Sequence, residues 1–310
     1  MKISVVVPCW NEEEALPLFY EAICPVMRSM REEYGVGFEL IFVDDGSKDG
    51  TLDLLRRFAA ADERVKYVSF SRNFGKEAAI LAGLTESTGN FTALMDADLQ
   101  DPPALLPKMY EAVTQGGYDC AATRRVTRAG EPKLRSFCAR TFYKLMHRIS
   151  DAEITDGARD YRLMNRKMTD AVLSLGETGR FSKGIFGWVG FRTKWFAYEN
   201  IERAAGTTKW SFWKLVRYSI SGITAFSTVP LDLPFVLGAV LTGVSVLGAV
   251  LTLILGGNPY WYLAELIGFC GGLNLLCLGV LGQYLGRTFL EVKRRPVYII
   301  KEKSKENFLL

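Results

Sequence analysis

Residues 94–103 read LMDADLQDPP. Three carboxylates, Asp96, Asp98 and Asp101, and the amide of Gln100 follow directly on the apolar run FTALM. So much negative charge at the end of a buried run calls for a positive partner, because an uncompensated charge next to an apolar interior is costly. A second acidic group lies in DDGSKDGT, residues 44–51. Counted from Asp45 it has the offsets of a calcium loop, with Asp45, Ser47, Asp49 and Gly50 in place. The twelfth position, which needs a bidentate Glu, is Arg56, so calcium binding is rejected. A turn rich in Asp and Gly accounts for Gly46 and Gly50, but not for acidic residues at strand ends.

The elements that carry these groups alternate. ISVVVP, FELIFVDDG, VKYVSF, FTALMD and YDCAAT read as short buried strands. Helical patterns follow the first four: residues 12–32, LDLLRRFAA, EAAILAGLTEST and PALLPKMYEAV. Asn11 is a candidate N-cap for the first helix, with Glu12, Glu13 and Glu14 in its first turn. Such alternation argues for a doubly wound, mostly parallel α/β sheet. Sheets of this kind bind ligands at the carboxyl ends of their strands. That rule brings Pro8, Trp10 and Glu12, Asp44 and Asp45, and Asp96 and Asp98 to one rim. No GxGxxG follows the first strand and no GxxxxGK[ST] occurs, which argues against a dehydrogenase and a P-loop ATPase.

The chain has 310 residues, 49% of them hydrophobic, and a mean hydropathy of +0.09, high for a soluble protein. The excess is concentrated after residue 225. Leu233–Leu255 has no charged residue, and Tyr260–Leu285 has only Glu265. Each is long enough for a helix to cross a hydrocarbon core of roughly 30 Å, and only GGNP separates them. The alternative is a buried core hairpin. The loop carries no Lys or Arg. The flanks carry Lys209, Lys214, Arg217, Arg287, Lys293, Arg294 and Arg295, which predicts cytoplasmic flanks. MKISVVVPCWNEEE turns polar too early for a signal peptide, so the N-terminal part is expected in the cytoplasm. The six cysteines form no CxxC, the single His147 cannot build a His-based metal site, and reduced thiols are expected. The net charge of +4 is modest, and the basic flanks suit anionic headgroups rather than nucleic acid.

Taken in order, VVVPCWNEEE, VDDGSKDGT, SRNFGKEAAILAGL and MDADLQDPP resemble the motifs of the GT-A nucleotide-sugar glycosyltransferases of family 2. Within that family the chain looks most like the polyprenyl-phosphate glycosyltransferases, the bactoprenol glucosyltransferases and dolichol-phosphate mannose synthases. The resemblance covers nearly the whole chain, hairpin included. It implies a GT-A catalytic domain at 1–208, juxtamembrane interfacial helices at 209–228, two transmembrane helices within 229–286 (about 231–255 and 260–285) and a basic cytoplasmic tail at 287–310.

The resemblance also assigns roles. DADLQ matches the family's metal motif, with Asp98 and Gln100 reaching Mg²⁺ or Mn²⁺ and Asp98 counted as catalytic. Oxygen ligands suit either ion, which also takes diphosphate oxygens. Pro8, Trp10, Glu12, Asp44, Asp96 and Ala97 match the positions around the nucleotide sugar. Trp10 either stacks on the base or belongs to the core. Asp101 is read as capping the helix after Pro102. Arg124, Arg203 and Lys209 match residues that contact the acceptor phosphate and the diphosphate, although basic residues beside a bilayer also serve the surface itself. WSFWKLVRYSISGITAF looks like an interfacial helix. Asp160 in ARDYRLMNRK matches the family's catalytic base. A phosphate monoester is already largely a dianion at neutral pH, so orienting Arg162 or Tyr161 is an equal reading. Arg180 and Lys183 are candidates for an acceptor loop.

The implied reaction is inverting transfer from UDP-glucose to undecaprenyl phosphate at the cytoplasmic face of a bacterial inner membrane, by a homo-oligomer, a tetramer among the options. GDP-mannose, UDP-N-acetylglucosamine and an amino-arabinose donor stay open. A polysaccharide synthase would carry QxxRW and more membrane helices. A non-catalytic membrane scaffold that binds nucleotide sugar would not need both a metal motif and a cationic acceptor site.

Overall fold

The computed structural model describes residues 1–125, 155, 157–198, 223, 225, 227, 229–255 and 259–304. Eight strands form one mixed sheet: β1 (Lys2–Cys9), β2 (Gly37–Asp44), β3 (Val65–Phe70), β4 (Phe91–Leu94), β5 (Cys120–Arg125), β6 (Ala158–Asn165), β7 (Thr193–Tyr198) and β8 (Ile300–Lys303). The helices are α1 (Ala15–Tyr34), α2 (Thr51–Ala61), α3 (Lys76–Glu86), α4 (Leu106–Thr114), α5 (Arg166–Ser174), α6 (Ser182–Trp188), α7 (Val229–Leu255) and α8 (Pro259–Val292), with a 3₁₀ turn at Pro103–Leu105.

The strand order is β7-β5-β6-β4-β1-β2-β3-β8. Four of the seven pairings are parallel; β6 runs against β4 and β5, and β8 runs against β3. The fifth strand of the sequence reading therefore does not continue the parallel run. β6, a strand with charges at its start, is inserted between β4 and β5.

β1 and β2 are buried almost throughout, which is why they read as continuous apolar runs rather than alternating ones. Val5 and Val7 pack with α1 and α4 residues such as Phe19, Ile23 and Met109. Val6 and Val43 face α3 on the other side. Close packing there depends on Gly83, where a Cβ would come within 2.1 Å of Val6 Cγ1.

The first helix starts later than expected. Asn11 sits at φ +53° and its amide oxygen accepts the Lys48 N–H at 2.8 Å, so it does not cap α1. No acidic residue falls in the first turn of α1. Glu13 instead accepts the Gly50 N–H at 2.6 Å, at the start of α2, where the helix dipole favours a carboxylate. The first acidic cluster thus serves the neighbouring helix.

α7 and α8 pack against one another. Among the described residues one span, Phe269–Val292, is long and apolar enough to cross a membrane. Phe269, Leu275, Leu276, Leu278, Leu281 and Leu285 are all exposed along it, a surface that suits lipid rather than water. A second qualifying span is not found among the described residues. The basic tail also differs from expectation. After α8 the chain returns to the sheet as β8, pairing Ile300 with Phe70 and Lys303 with Val68. Arg56 donates two hydrogen bonds to Glu302, Tyr298 stacks on Phe70 at 4.9 Å, and the Ser71 N–H donates to the Ile299 carbonyl. The five described cysteines are free thiols.

Candidate active site

The parallel strands end on one rim, and the register sets their heights. Cys9 lies level with Asp44, and Leu94 with Val6 and with Arg162 of the antiparallel β6. The run from Met95 to Asp98 therefore leaves the sheet beside the end of β1 and opposite the start of β6. Pro8 near the end of β1, and Trp10 and Glu12 just after it, lie at this height, all partly exposed. The Glu12 N–H donates to Thr51 Oγ1 at 2.8 Å, tying the segment to α2.

Asp44 is buried and held on two sides: it accepts the Ser47 N–H at 3.0 Å and the Ser69 hydroxyl at 2.7 Å. Its neighbour Asp45 points to the loop before α3 and accepts the N–H groups of Phe74 at 2.6 Å and Gly75 at 2.9 Å. Burial pushes the Asp45 carboxyl up to about 6, against the pull of those two donors. Between them and the next loop, Gly46 sits at φ +64°, and a Cβ there would meet the Arg72 carbonyl carbon at 2.4 Å. Only glycine permits both the backbone turn and that approach.

In DADLQ, Ala97 and Asp98 are buried, and Asp98 Oδ1 accepts the Gln100 N–H at 3.1 Å around Leu99, itself at φ +56°. The Gln100 amide oxygen accepts from Arg159 Nη2 at 3.3 Å. Asp98 and Gln100 therefore present two oxygen donors from one tight loop. Hard oxygens in that number fit a divalent ion that completes its shell with diphosphate and water. Among the described residues no group of three or more His, Cys, Asp or Glu is placed to hold a metal ion.

Asp101 departs from the sequence reading. Its side chain is fully buried, and neither the 3₁₀ turn nor α4 has a side-chain cap. It accepts from Arg159 Nε at 3.2 Å and from the Tyr198 hydroxyl, tying the acidic loop to β6 and β7. Burial raises the Asp101 carboxyl and Arg159 opposes the rise.

On the other face of β6, Asp160 does not orient its neighbours through its carboxylate. Arg162 donates to the Asp160 main-chain carbonyl at 3.2 Å and lies over the Phe186 ring at 3.6 Å. The Asp160 carboxylate instead meets Lys76 Nζ at 2.5 Å, and the same ammonium lies 2.7 Å from Asp96. Burial alone would raise the Asp160 carboxyl, but Lys76 and the nearby Lys183 reverse this and hold it well below the usual carboxylate range. Arg124, at the end of β5, is exposed on the same rim. Arg180 is not available to an acceptor: it is buried and donates to the carbonyls of Leu175 and Val172, closing the end of α5. Arg203, Lys209 and, apart from residues 223 and 225, the expected interfacial helix lie outside the described residues, as does His147.

Residues 4–173 match the family model described as "Glycosyl transferase family 2". The chain belongs to glycosyl transferase family 2. This glycosyltransferase is 41% identical over 311 residues to the "Prophage bactoprenol glucosyl transferase homolog" of Escherichia coli (strain K12), covering 98% of this chain and 100% of that one. It is 39% identical over 311 residues to the "Putative glycosyltransferase CsbB" of Bacillus subtilis (strain 168), covering 98% and 93%. Among solved structures, glucosyl-3-phosphoglycerate synthase from Mycobacterium tuberculosis in complex with phosphoglyceric acid matches with a TM-score of 0.50 and 18% identity over 72% of this chain and 78% of that one. That likeness concerns the fold: a GT-A-like mixed sheet with mostly parallel strands.

Sequence reasoning missed three side chains of this glycosyltransferase: Lys76, Arg159 and Tyr198. Arg159 and Tyr198 left no local signal, because their partners are distant in the chain. Lys76 did leave one. A lysine at the first position of a helix opposes the helix dipole, so its place in SRNFGKEAAI needed a separate reason.

Proposed function

We propose that this glycosyltransferase moves one sugar, with inversion, from a nucleotide-diphosphate donor to a polyprenyl phosphate at the cytoplasmic face of the membrane. UDP-glucose and undecaprenyl phosphate are the favoured pair. The observation that carries this is the end-to-end similarity to relatives named as bactoprenol glucosyl transferases in Escherichia coli and the Shigella phages. GDP-mannose, UDP-N-acetylglucosamine and amino-arabinose donors are the alternatives, and the assay below separates the first two.

The path of the chain supports a membrane acceptor. β8 begins beside the carboxyl end of β3, so α8 leaves the bilayer at the rim end of the sheet. Glu291 near the end of α8 accepts the N–H groups of Thr178 and Gly179, in the loop that leads to α6 and Lys183. An acceptor phosphate at the lipid surface is thereby close to Asp160 and Arg124. The same path favours two crossings. β8 shares a sheet with β1 to β7, so both ends of the 199–299 segment lie on one side of the bilayer. If Phe269–Val292 crosses, a second crossing would precede it, and α7, 27 residues or about 40 Å long, has the length for one.

In this reading Trp10, Glu12 and Asp44 receive the nucleoside, and Asp96 and Ala97 line the sugar side. Asp98 and Gln100 would hold Mg²⁺ or Mn²⁺, which when bound neutralises the departing diphosphate. An acceptor phosphate oxygen forms the new bond to the anomeric carbon as the bond to the diphosphate breaks, and the bonding pair leaves with the nucleoside diphosphate. The acceptor arrives as a dianion near neutral pH, and Asp160, held ionised by Lys76, is a poor proton acceptor. Asp160 therefore serves as a fixed anion on the acceptor side, paired with Lys76, rather than as a base, while Arg124 offsets the negative charge that two phosphates bring together.

The test is sugar transfer by purified protein in detergent with undecaprenyl phosphate and Mg²⁺, radiolabelled UDP-glucose, UDP-N-acetylglucosamine and GDP-mannose run in parallel. Label in the lipid fraction from UDP-glucose, lost in Asp98→Ala, is the expected result. Transfer from another donor replaces the sugar, and absence of binding by any nucleotide sugar overturns the reading.

A further inference from the structure

Lys76 occupies an unfavourable helix position, and its side chain explains why. The ammonium does not reach for solvent. It lies between Asp96, which leaves β4, and Asp160, which opens the neighbouring antiparallel β6. A third of the side chain stays exposed, so a ligand entering the rim can still meet it.

The backbone of Lys76 is anchored from elsewhere. Asp45, at the end of β2, takes the N–H groups of Phe74 and Gly75 immediately before it. Gly46 lets the same turn seat directly on the Arg72–Asn73 backbone. At the first turn of α3, Glu77 accepts from the Ser182 N–H at 2.9 Å, which fixes the helix start to α6. Two elements that carry neither Asp96 nor Asp160, the turn after β2 and α6, thus hold the backbone on either side of Lys76, and the two carboxylates turn toward its ammonium.

We propose that Lys76 is a positioning residue of the transfer reaction: its ammonium holds Asp160 in place relative to Asp96, fixing the acceptor side of the site against the donor side. The inference rests on the reading of those two residues under the proposed function. Without the ammonium, two like charges on adjacent strands repel and turn apart. Donor affinity draws on many other contacts, among them those of Asp44 and the β1 end. In-line attack depends on the relative placement of donor and acceptor, where a shift of about 1 Å costs roughly 100-fold. The effect of losing Lys76 therefore falls on turnover more than on donor KM.

The experiment uses the full chain in detergent with Lys76→Met, Lys76→Arg, Asp160→Asn and the double variant Lys76→Met/Asp160→Asn. Expected for Lys76→Met is a kcat lower by about 100-fold with donor KM changed by less than about 5-fold, and partial recovery in Lys76→Arg. In the Asp160→Asn background, Lys76→Met should cost no more than about 3-fold further, because the two act as one unit. An unchanged kcat in Lys76→Met, fully multiplicative losses in the double variant, or a loss confined to donor KM each overturns the proposal. An arm independent of turnover uses a zero-length carbodiimide cross-linker and peptide mapping, with the Lys303–Glu86 pair, 3.5 Å apart, as reference. An amide from Lys76 to Asp160 or Asp96 is expected; its absence where the reference link forms overturns the placement. Wild-type protein that moves no sugar counts against the proposed function instead, and the cross-link then judges Lys76 by itself.

Discussion

Two ionic clusters lie at opposite ends of the same sheet and are built to opposite rules. At the floor, Glu39 of β2 is 3% exposed and surrounded by donors: Lys2 at 2.6 Å, Lys66 at 3.1 Å, the Ser4 hydroxyl at 2.5 Å and the Thr88 N–H at 2.8 Å. One carboxylate has two ammonium groups and every oxygen is satisfied. At the rim, two carboxylates share the ammonium of Lys76, and Asp44 and Asp98 add further negative charge nearby. The floor cluster is complete as it stands. In the rim cluster a single ammonium is divided between two carboxylates, with Lys183 also acting on Asp160. Both are networks of short charge-assisted bonds, so the number of salt bridges does not distinguish them; the balance of charge does.

The largest effect that sharpens this contrast is at the rim. Asp96→Asn should lower transfer by roughly 100-fold, as loss of a preorganised charged group does, while the melting temperature stays level or rises because one of two like charges is gone. A large loss of stability in that variant would break the comparison. Next comes the floor. Burial alone would raise the Glu39 carboxyl, but Lys2, Ser4 and Thr88 hold it at about 2. A carboxyl lowered on folding stabilises the protein above its unfolded value near 4.5 and loses that contribution as pH falls toward 2. Glu39→Gln should therefore cost about 2 to 3 kcal/mol at pH 7 with transfer retained. The gap to wild type should narrow as pH falls from 4.5 toward 2, as thermal unfolding across pH would reveal. The smallest effect belongs to Arg56→Ala. Its pairs with Asp53 and Glu302 are exposed, and such pairs contribute little, so its melting curve should overlay that of wild type. A clear drop would mean that β8 docking depends on charge as well as on backbone pairing.

The first four strands were readable because β1, β2 and β4 are buried almost throughout, β3 over its last three residues, and each is bounded by a helix pattern. β6 was not, since ARDYRLMN begins with Arg159 and Asp160 and contains Arg162, charges that the rim requires and a strand pattern does not. β8 was hidden for a related reason: IKEK is an edge strand, and its charged residues read as tail. The acidic loop announced a site, yet the partners of Asp96 and Asp101 are set by long-range topology. Lys76 lies 84 residues before Asp160, and Tyr198 lies 97 after Asp101. Local spacing carries no record of such meetings. Asp101 was misread as a helix cap because the residue before Pro102 has that local form, while its burial depends on β6 and β7.

The late return of the chain also sets an order of assembly. The edge of β3 is finished by residues 300–303, made about 230 residues after Phe70. At roughly 5 to 20 residues per second, that edge waits about 10 to 50 s during synthesis. By then α7 and α8 have been made. The catalytic sheet is therefore closed by its last strand only after the apolar helices have been delivered, and a nascent chain stalled before residue 300 carries an open strand edge, the kind of surface that chaperones bind and that invites aggregation.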